Sequence, residues 1–244
     1  ETQNGEWILA HLASRPIGKN RDCILGRETC LQKVVWNEEG WLRLEKGGNE
    51  PSENVEVNPP EYEFEKTAER DDFDGETLDK SWNSLRVQID ESWANLTERK
   101  GFLRLHGRES LKSLHNQSLL GKRLQFQKCT VETKLEFSPE NFNQFAGLII
   151  FYNTEMNYYL RVSHDETHGK ILGIVLNDDG VYDELVETNI EINSWKQIYL
   201  RADINFVDLQ FWASFDGENW QKIGEVLNLG KLSDDYGKFF HFTG

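Results

Sequence analysis

The stretch 207–216 limits the fold more than any other part of the chain. Val207, Leu209, Phe211, Ala213 and Phe215 occupy every second position, and Asp208, Gln210, Trp212, Ser214 and Asp216 fill the places between. A period of two belongs to a strand with one face in a core and the other in water. Val131, Thr133, Leu135 and Phe137 repeat the pattern against Glu132, Lys134 and Glu136. The stretches 146–152, 158–163, 170–176 and 197–202 read as further strands. Asn177-Asp178-Asp179-Gly180 and Asp216-Gly217 supply turn chemistry between them. No stretch shows a helical period with caps. Many short antiparallel strands separated by turns imply an all-β sandwich or barrel.

The first 45 residues read as a smaller β unit. Trp7-Ile8-Leu9-Ala10-His11-Leu12 is one strand and Leu31-Gln32-Lys33-Val34-Val35-Trp36 another. Asn37-Glu38-Glu39-Gly40 turns the chain, and Trp41-Leu42-Arg43-Leu44 returns it. Two or three strands do not make a stable sheet alone, so this unit needs more sheet to pack on. The segment that follows is rich in Gly, Asn, Glu and Pro, with Pro51, Pro59 and Pro60. It reads as a linker. The expected division is a partial sheet over 1–48, a linker over 49–62 and strands from 63 to 244.

Charge narrows the partners. A net charge of −15 repels phosphate backbones and anionic lipid, so neither nucleic acid nor membrane is an expected partner. The longest apolar run, 145–152, is too short to span a bilayer. A neutral oligosaccharide suits such a surface, and the 12% aromatic share suits sugar contacts as well as a β core. Cys23, Cys30 and Cys129 are odd in number and lack metal-ligand spacing, which fits reduced thiols in the cytoplasm. His164 and His168 lie four apart in a strand-to-turn region, outside the helical zinc pattern, and read as surface residues. Asn95-Leu96-Thr97 and Asn116-Gln117-Ser118 match a glycosylation sequon, a short pattern that arises often by chance.

Several ordered segments carry a family resemblance. Glu1-Thr2-Gln3-Asn4-Gly5-Glu6-Trp7 is followed by His11-Leu12-Ala13-Ser14-Arg15-Pro16. Next comes Leu25-Gly26-Arg27-Glu28-Thr29-Cys30-Leu31-Gln32, the most specific. Gly107-Arg108-Glu109-Ser110-Leu111, Val131-Glu132-Thr133-Lys134-Leu135 and Ala146-Gly147-Leu148 complete the set. In this order they resemble β-xylosidases of glycoside hydrolase family 43. The resemblance implies the last strands of a five-bladed β-propeller joined to a concanavalin A-like antiparallel β-sandwich of jelly-roll type, incomplete at its C-terminus. It implies an inverting, exo-acting enzyme that cleaves xylo-oligosaccharides from the non-reducing end, in some members also α-arabinofuranosides. Inversion needs a base carboxylate and an acid carboxylate set apart around a water. The resemblance puts both, and a third carboxylate that tunes the acid, upstream of Glu1, so no catalytic residue is expected here and the chain alone is expected to be inactive.

What the resemblance implies for this chain is a supporting role. Arg27 matches an arginine that reaches the sugar beside the scissile bond. A guanidinium fork can hold two hydroxyls and fix a ring for attack. The alternative is an ion pair that holds the blade, with Glu28 and Thr29 orienting Arg27 or stabilising the turn. Phe242, in Lys238-Phe239-Phe240-His241-Phe242-Thr243-Gly244, matches an aromatic that a sandwich loop places at the pocket mouth. A core strand is the alternative. Asp72 and Asp74, in Asp71-Asp72-Phe73-Asp74-Gly75, are the candidates for a structural Ca²⁺, which takes six or more oxygens. A solvated acidic turn is the alternative. Expected partners are the xylo-oligosaccharide, the missing propeller portion and further copies of the whole enzyme. The second functional class is a non-catalytic carbohydrate-binding sandwich, suggested by Trp212 and Trp220.

Overall fold

The computed structural model describes residues 1–66 and 68–237. It divides into two compact units. One contains Glu1–Arg15 and Arg27–Arg70; the other contains Pro16–Gly26 and the chain from Asp71 onward.

The first unit is a three-stranded antiparallel sheet in the order β1-β2-β3. β1 spans Trp7–Ala13, β2 Glu28–Trp36 and β3 Leu42–Leu44. Trp7 pairs with Val34 and His11 with Cys30. Asn37 Oδ1 accepts the Trp41 N–H at 2.8 Å, which closes the β2–β3 turn at the place its Asn and Gly indicated. The segment expected as a linker runs back along this sheet. The Gln32 side-chain amide exchanges two 2.9 Å bonds with the Ser52 backbone, and Glu6 accepts the Asn58 N–H at 3.0 Å. Lys33 Nζ bridges Glu6 at 2.9 Å and Glu45 at 3.4 Å. Leu12, Leu31, Val35, Trp36 and Trp41 remain exposed on a sheet of three strands. That is an unusual amount of uncovered apolar surface for so small a unit.

The second unit is the sandwich that the alternation implies. One sheet has the order β12-β11-β10-β9, from Ala146–Phe151 (β9), Asn157–Asp165 (β10), Gly169–Asp178 (β11) and Val181–Glu191 (β12). The other has the order β15-β14-β13-β8, from Lys128–Leu135 (β8), Ile198–Asn205 (β13), Asp208–Ser214 (β14) and Gln221–Asn228 (β15). Leu160 and Leu172 of the first sheet pack with Leu200, Ala202, Leu209 and Ala213 of the second, all fully buried. The sheets therefore face one another across a dry core. Asp179 and Gly180, both at positive φ, form the two-residue β11–β12 connection that a twisted hairpin favours.

Two strands carry irregularities. Between β11 and β12, Leu172 pairs with Ile190 while Ile174 pairs with Leu185, so residues 186–189 bulge out. Thr188 Oγ repairs the ladder there: it accepts the Ile174 N–H at 2.9 Å and donates to the Leu185 carbonyl at 2.6 Å. Between β14 and β15 the register slips near Gln210. The Gln210 amide donates to the carbonyls of Phe211 and Ile223 at 2.9 and 3.1 Å. Both repairs satisfy buried backbone groups that the bulge would otherwise strand.

The region from 63 to 127 corrects an expectation. Strands were expected from about residue 63, but the long ones begin at Lys128. Before it lie four two-residue pieces: β4 (Asn83–Ser84), β5 (Ala94–Asn95), β6 (Arg104–Leu105) and β7 (Leu120–Gly121). The reason is local. Asp79, Asp90 and Asn95 each accept the N–H two residues on with a side-chain oxygen, and such turns compete with a ladder. Trp93, 1% exposed, gives this looped region its own core, and the Arg108 guanidinium lies 4.5 Å above its ring.

Candidate functional site

Arg27 stands where a loop re-enters a strand. Gly26, at φ +65°, closes a turn by donating its N–H to the Cys23 carbonyl at 3.1 Å. Arg27 follows half-buried, and β2 begins at Glu28. The Glu28 carboxylate takes Arg15 through two parallel 2.8 Å bonds, the bidentate geometry a guanidinium favours. That bond, and then the Glu28 charge, raises the Arg15 pKa. Arg15 and Glu28 therefore close the neck of the Pro16–Gly26 loop.

Phe242, with Phe239 and Phe240, lies outside the described residues. The segment leading to it is described as far as Gly237. After β15 a short 3₁₀ turn spans Leu229–Leu232, capped by Asn228 Oδ1 on the Gly230 N–H at 2.9 Å. Lys231 Nζ meets Asp178 Oδ2 at 2.5 Å, Tyr152 OH donates to Asp234, and Tyr158 OH donates to the Asn228 carbonyl at 2.9 Å. Burial would push the Asp178 carboxyl up, but hydrogen bonds from Lys231 and Tyr236 outweigh it and hold the group below its ordinary value. A carboxylate with a depressed folded pKa stabilises above its unfolded value and loses that contribution as pH falls through the folded one. Asp178→Asn is therefore expected to lower Tm near neutral pH by about 2–4 °C, the size of a partly exposed pair. The gap should narrow as the pH is lowered from neutral to below the ordinary carboxylate range. An equal gap at both pH values in calorimetry would remove the ionic account of this tether.

Asp72 and Asp74 sit on an exposed turn that Asp71 organises. Asp71 accepts the Phe73 N–H at 2.9 Å and the Trp82 indole N–H at 2.7 Å, while Phe73 holds φ +53°. Both Asp71 oxygens are thereby in use. Among the described residues no group of three or more His, Cys, Asp or Glu side chains is placed to hold a metal.

The remaining motifs are structural where they are described. In Gly107-Arg108-Glu109-Ser110-Leu111, the Glu109 carboxylate accepts Ser113 Oγ at 2.7 Å and Asn116 Nδ2 at 3.1 Å, lacing the loop to itself. Asn95 of the first sequon spends its side-chain oxygen on the N–H groups of Thr97 and Glu98. His168 pairs with Glu191 at 2.8 Å on the surface. The Trp220 ring is covered by Arg201, 3.7 Å from its centroid, and Arg201 in turn meets Glu132 at 2.6 Å. Trp212 is half-buried, and among the described residues its indole nitrogen has no hydrogen-bond partner.

Residues 70–244 match the model of the β-xylosidase C-terminal concanavalin A-like domain. The chain belongs to glycoside hydrolase family 43. Its family-43 sandwich comes with a sheet that relatives also carry: the likeness to a β-xylosidase of Bacillus subtilis strain 168 is 39% over 254 residues and covers 98% of this chain. A xylosidase/arabinosidase of Humicola insolens is 34% identical over the whole chain. The crystal structure of a xylan β-1,4-xylosidase from Bacillus halodurans C-125 superposes with a TM-score of 0.95 at 48% identity, over 100% of this chain and 47% of that one. The chain spans about half the length of the curated relatives it matches, 47% and 46% for the two above.

Part of what orders this family-43 sandwich leaves no local signal in the sequence. Asp178 was legible only as a turn residue, and its bond to Lys231 joins positions 53 apart. Tyr152 and Asp234 are 82 apart. No local period signals such pairs. The sequence offers only Lys231, Asp234, Asp235 and Tyr236 grouped within a few residues after the Gln221–Asn228 strand.

Proposed function

We propose that this chain is the C-terminal part of an exo-acting, inverting β-xylosidase, and that it forms a wall of the substrate pocket rather than supplying the reacting carboxylates. The observation that carries the reading is the span of the likeness. Relatives named as β-xylosidases align with both the three-stranded sheet and the sandwich, and extend to about twice the length. The exposed apolar side chains of β1 and β2 support an occupant on that sheet, and the other half of the protein is the natural one. Arg27 is the sugar-holding residue in this reading, and Phe242 closes the pocket mouth. The substrate is a xylo-oligosaccharide cleaved at its non-reducing end. The relatives named xylosidase/arabinosidase support an α-arabinofuranoside as a second substrate. Inversion follows if the upstream carboxylates stand ~6.5–9.5 Å apart, far enough to admit the attacking water.

The test compares the full-length protein with residues 1–244 alone on an aryl β-xyloside. The full-length protein is expected to turn over and release the α-anomer of xylose first, seen by proton NMR. Residues 1–244 are expected to show no turnover. Turnover by the shorter chain would mean that the carboxylates lie within it. Release of the β-anomer would overturn inversion.

A further inference from the structure

The outer face of the β12-β11-β10-β9 sheet holds a charged group whose donors are not all met. Leu160 and Val162 of β10, and Leu172 and Ile174 of β11, belong to the core, so Arg161 and Gly173 between them point the other way. Arg161 is nevertheless buried, its side chain 3% exposed. It stands between two glycines, Gly147 of β9 and Gly173 of β11. Its Nη2 donates to Glu184 Oε2 at 2.7 Å, and its guanidinium carbon lies 4.9 Å from the centroid of the Phe145 ring. Among the described residues its Nε and Nη1 have no hydrogen-bond partner. Unmet buried donors cost free energy, and native structures keep them where a water, an ion or a ligand has a place.

The neighbouring groups define the ligand. Loops reach both ends of this face: Ser163 Oγ donates to the Phe142 carbonyl at 3.4 Å, and Lys112 Nζ to the Gly180 carbonyl at 3.5 Å. Between them the rim is open. Phe145 and Tyr182 are exposed, and the Glu184 side chain is 38% exposed. Tyr182 OH donates to Glu184 Oε1 at 2.5 Å, so the carboxylate is held between a tyrosine and an arginine. Asn189, from the β12 bulge, brings a carboxamide into the row of Arg161: a Cβ on Gly173 would lie 1.9 Å from its Oδ1. Arg161 and Glu184 together carry no net charge and set donors beside an acceptor. A sugar hydroxyl, itself both donor and acceptor, satisfies each of them. The two rings offer apolar faces to a pyranose. An anionic ligand would meet the Glu184 charge and a chain of net charge −15.

We propose that this face is a binding site for a neutral sugar unit. Glu184 accepts from one hydroxyl, Arg161 donates to the same unit directly or through a trapped water, and Phe145 and Tyr182 flank the ring. The choice of xylan as the polymer rests on the β-xylosidase reading above; the preference for a neutral sugar does not. The site lies on the sheet opposite the one that carries Trp212.

The experiment is native affinity electrophoresis of the full-length protein through gels containing soluble xylan, with kinetics on an aryl β-xyloside alongside. Xylan is expected to retard the protein. Phe145→Ala and Tyr182→Ala, both at exposed positions, are each expected to weaken that binding roughly fivefold, the scale of one lost ring contact. Tyr182→Phe keeps the ring and should bind within about twofold of native. Arg161→Lys is expected to cost roughly tenfold, as a hydrogen bond from a charged group does; if it does not fold, Glu184→Gln and the two alanine variants decide the matter. All folded variants should keep kcat/KM on the short aryl xyloside within about twofold of native, because independent sites act separately. An unretarded native protein would overturn the proposal. So would native retardation in both folded alanine variants, or losses of binding matched by equal losses of kcat/KM. Retardation by polygalacturonate but not by xylan would overturn the neutral-sugar class. A native protein that binds xylan yet turns over no aryl β-xyloside would strike the β-xylosidase reading and support the binding site, since the gel measures binding without turnover.

Discussion

Arg27→Ala in the full-length protein is expected to lower kcat/KM on xylosides by roughly thirtyfold or more in the molecules that fold. A hydrogen bond from a charged group to a substrate is worth about 1.5–3 kcal/mol, and each 1.36 kcal/mol is tenfold in rate. Arg27→Lys is expected to recover only part of the loss. It keeps the charge but replaces a planar fork, able to hold two hydroxyls, by a point donor. The competing account makes Arg27 a structural ion pair. That account predicts the reverse pattern, with Tm falling and kcat/KM surviving in the molecules that remain folded. Arg15 serves as the internal comparison. It already forms the bidentate pair with Glu28 at the neck of the loop, so Arg15→Ala should act on stability first. An Arg27→Ala variant with lowered Tm and unchanged kcat/KM would move Arg27 into the same class as Arg15.

The fold was legible wherever side chains alternate without interruption. β14 is the clear case. Leu209, Phe211 and Ala213 are buried as the period of two requires, but Gln210 and Ser214, on the face expected in water, are buried as well, and Phe215, beyond the strand, is exposed. β12 was not legible. Its apolar residues lose phase at the bulge over 186–189, and it is an edge strand facing water along much of its length. β15 fails for a related reason, since Gly224 interrupts it where the register slips. The looped region before Lys128 misled in the other direction. Its Trp, Leu and Val residues look like strand material, yet Asp and Asn side chains at 79, 90 and 95 spend the backbone donors on turns. For the site, residue types carried less. Nothing in the spacing around Arg27 distinguishes a sugar contact from an ion pair, and only the motif resemblance singled it out.

Two glycines from the motifs that mark this family should respond oppositely to the same substitution. Gly147 lies in β9 directly opposite Arg161 of β10. A Cβ there would stand 2.0 Å from the Leu160 carbonyl oxygen and 3.0 Å from Arg161 Cα. These are backbone atoms of a central strand, and Leu160 is fully buried in the core. No rotamer change can relieve such a clash; β9 and β10 must separate locally or the sheet must bend. Gly147→Ala is therefore expected to destabilise by about 3 kcal/mol, at the upper end for overpacking. For a domain of this size that lowers the sandwich transition by roughly 6–12 °C. Gly107 differs in both respects. Its φ is not among the positive values, and nothing lies within 4 Å of a Cβ built on it. Gly107→Ala should fall within about 0.5 kcal/mol of the native protein, and slight stabilisation is the expected sign because alanine restricts the unfolded chain. Calorimetry of the two variants side by side measures both effects. A Gly147→Ala transition within 2 °C of native would mean that β9 can shift along β10 at little cost (about 1 kcal/mol or less by the same conversion), and the close approach of the two backbones would not be what glycine provides there.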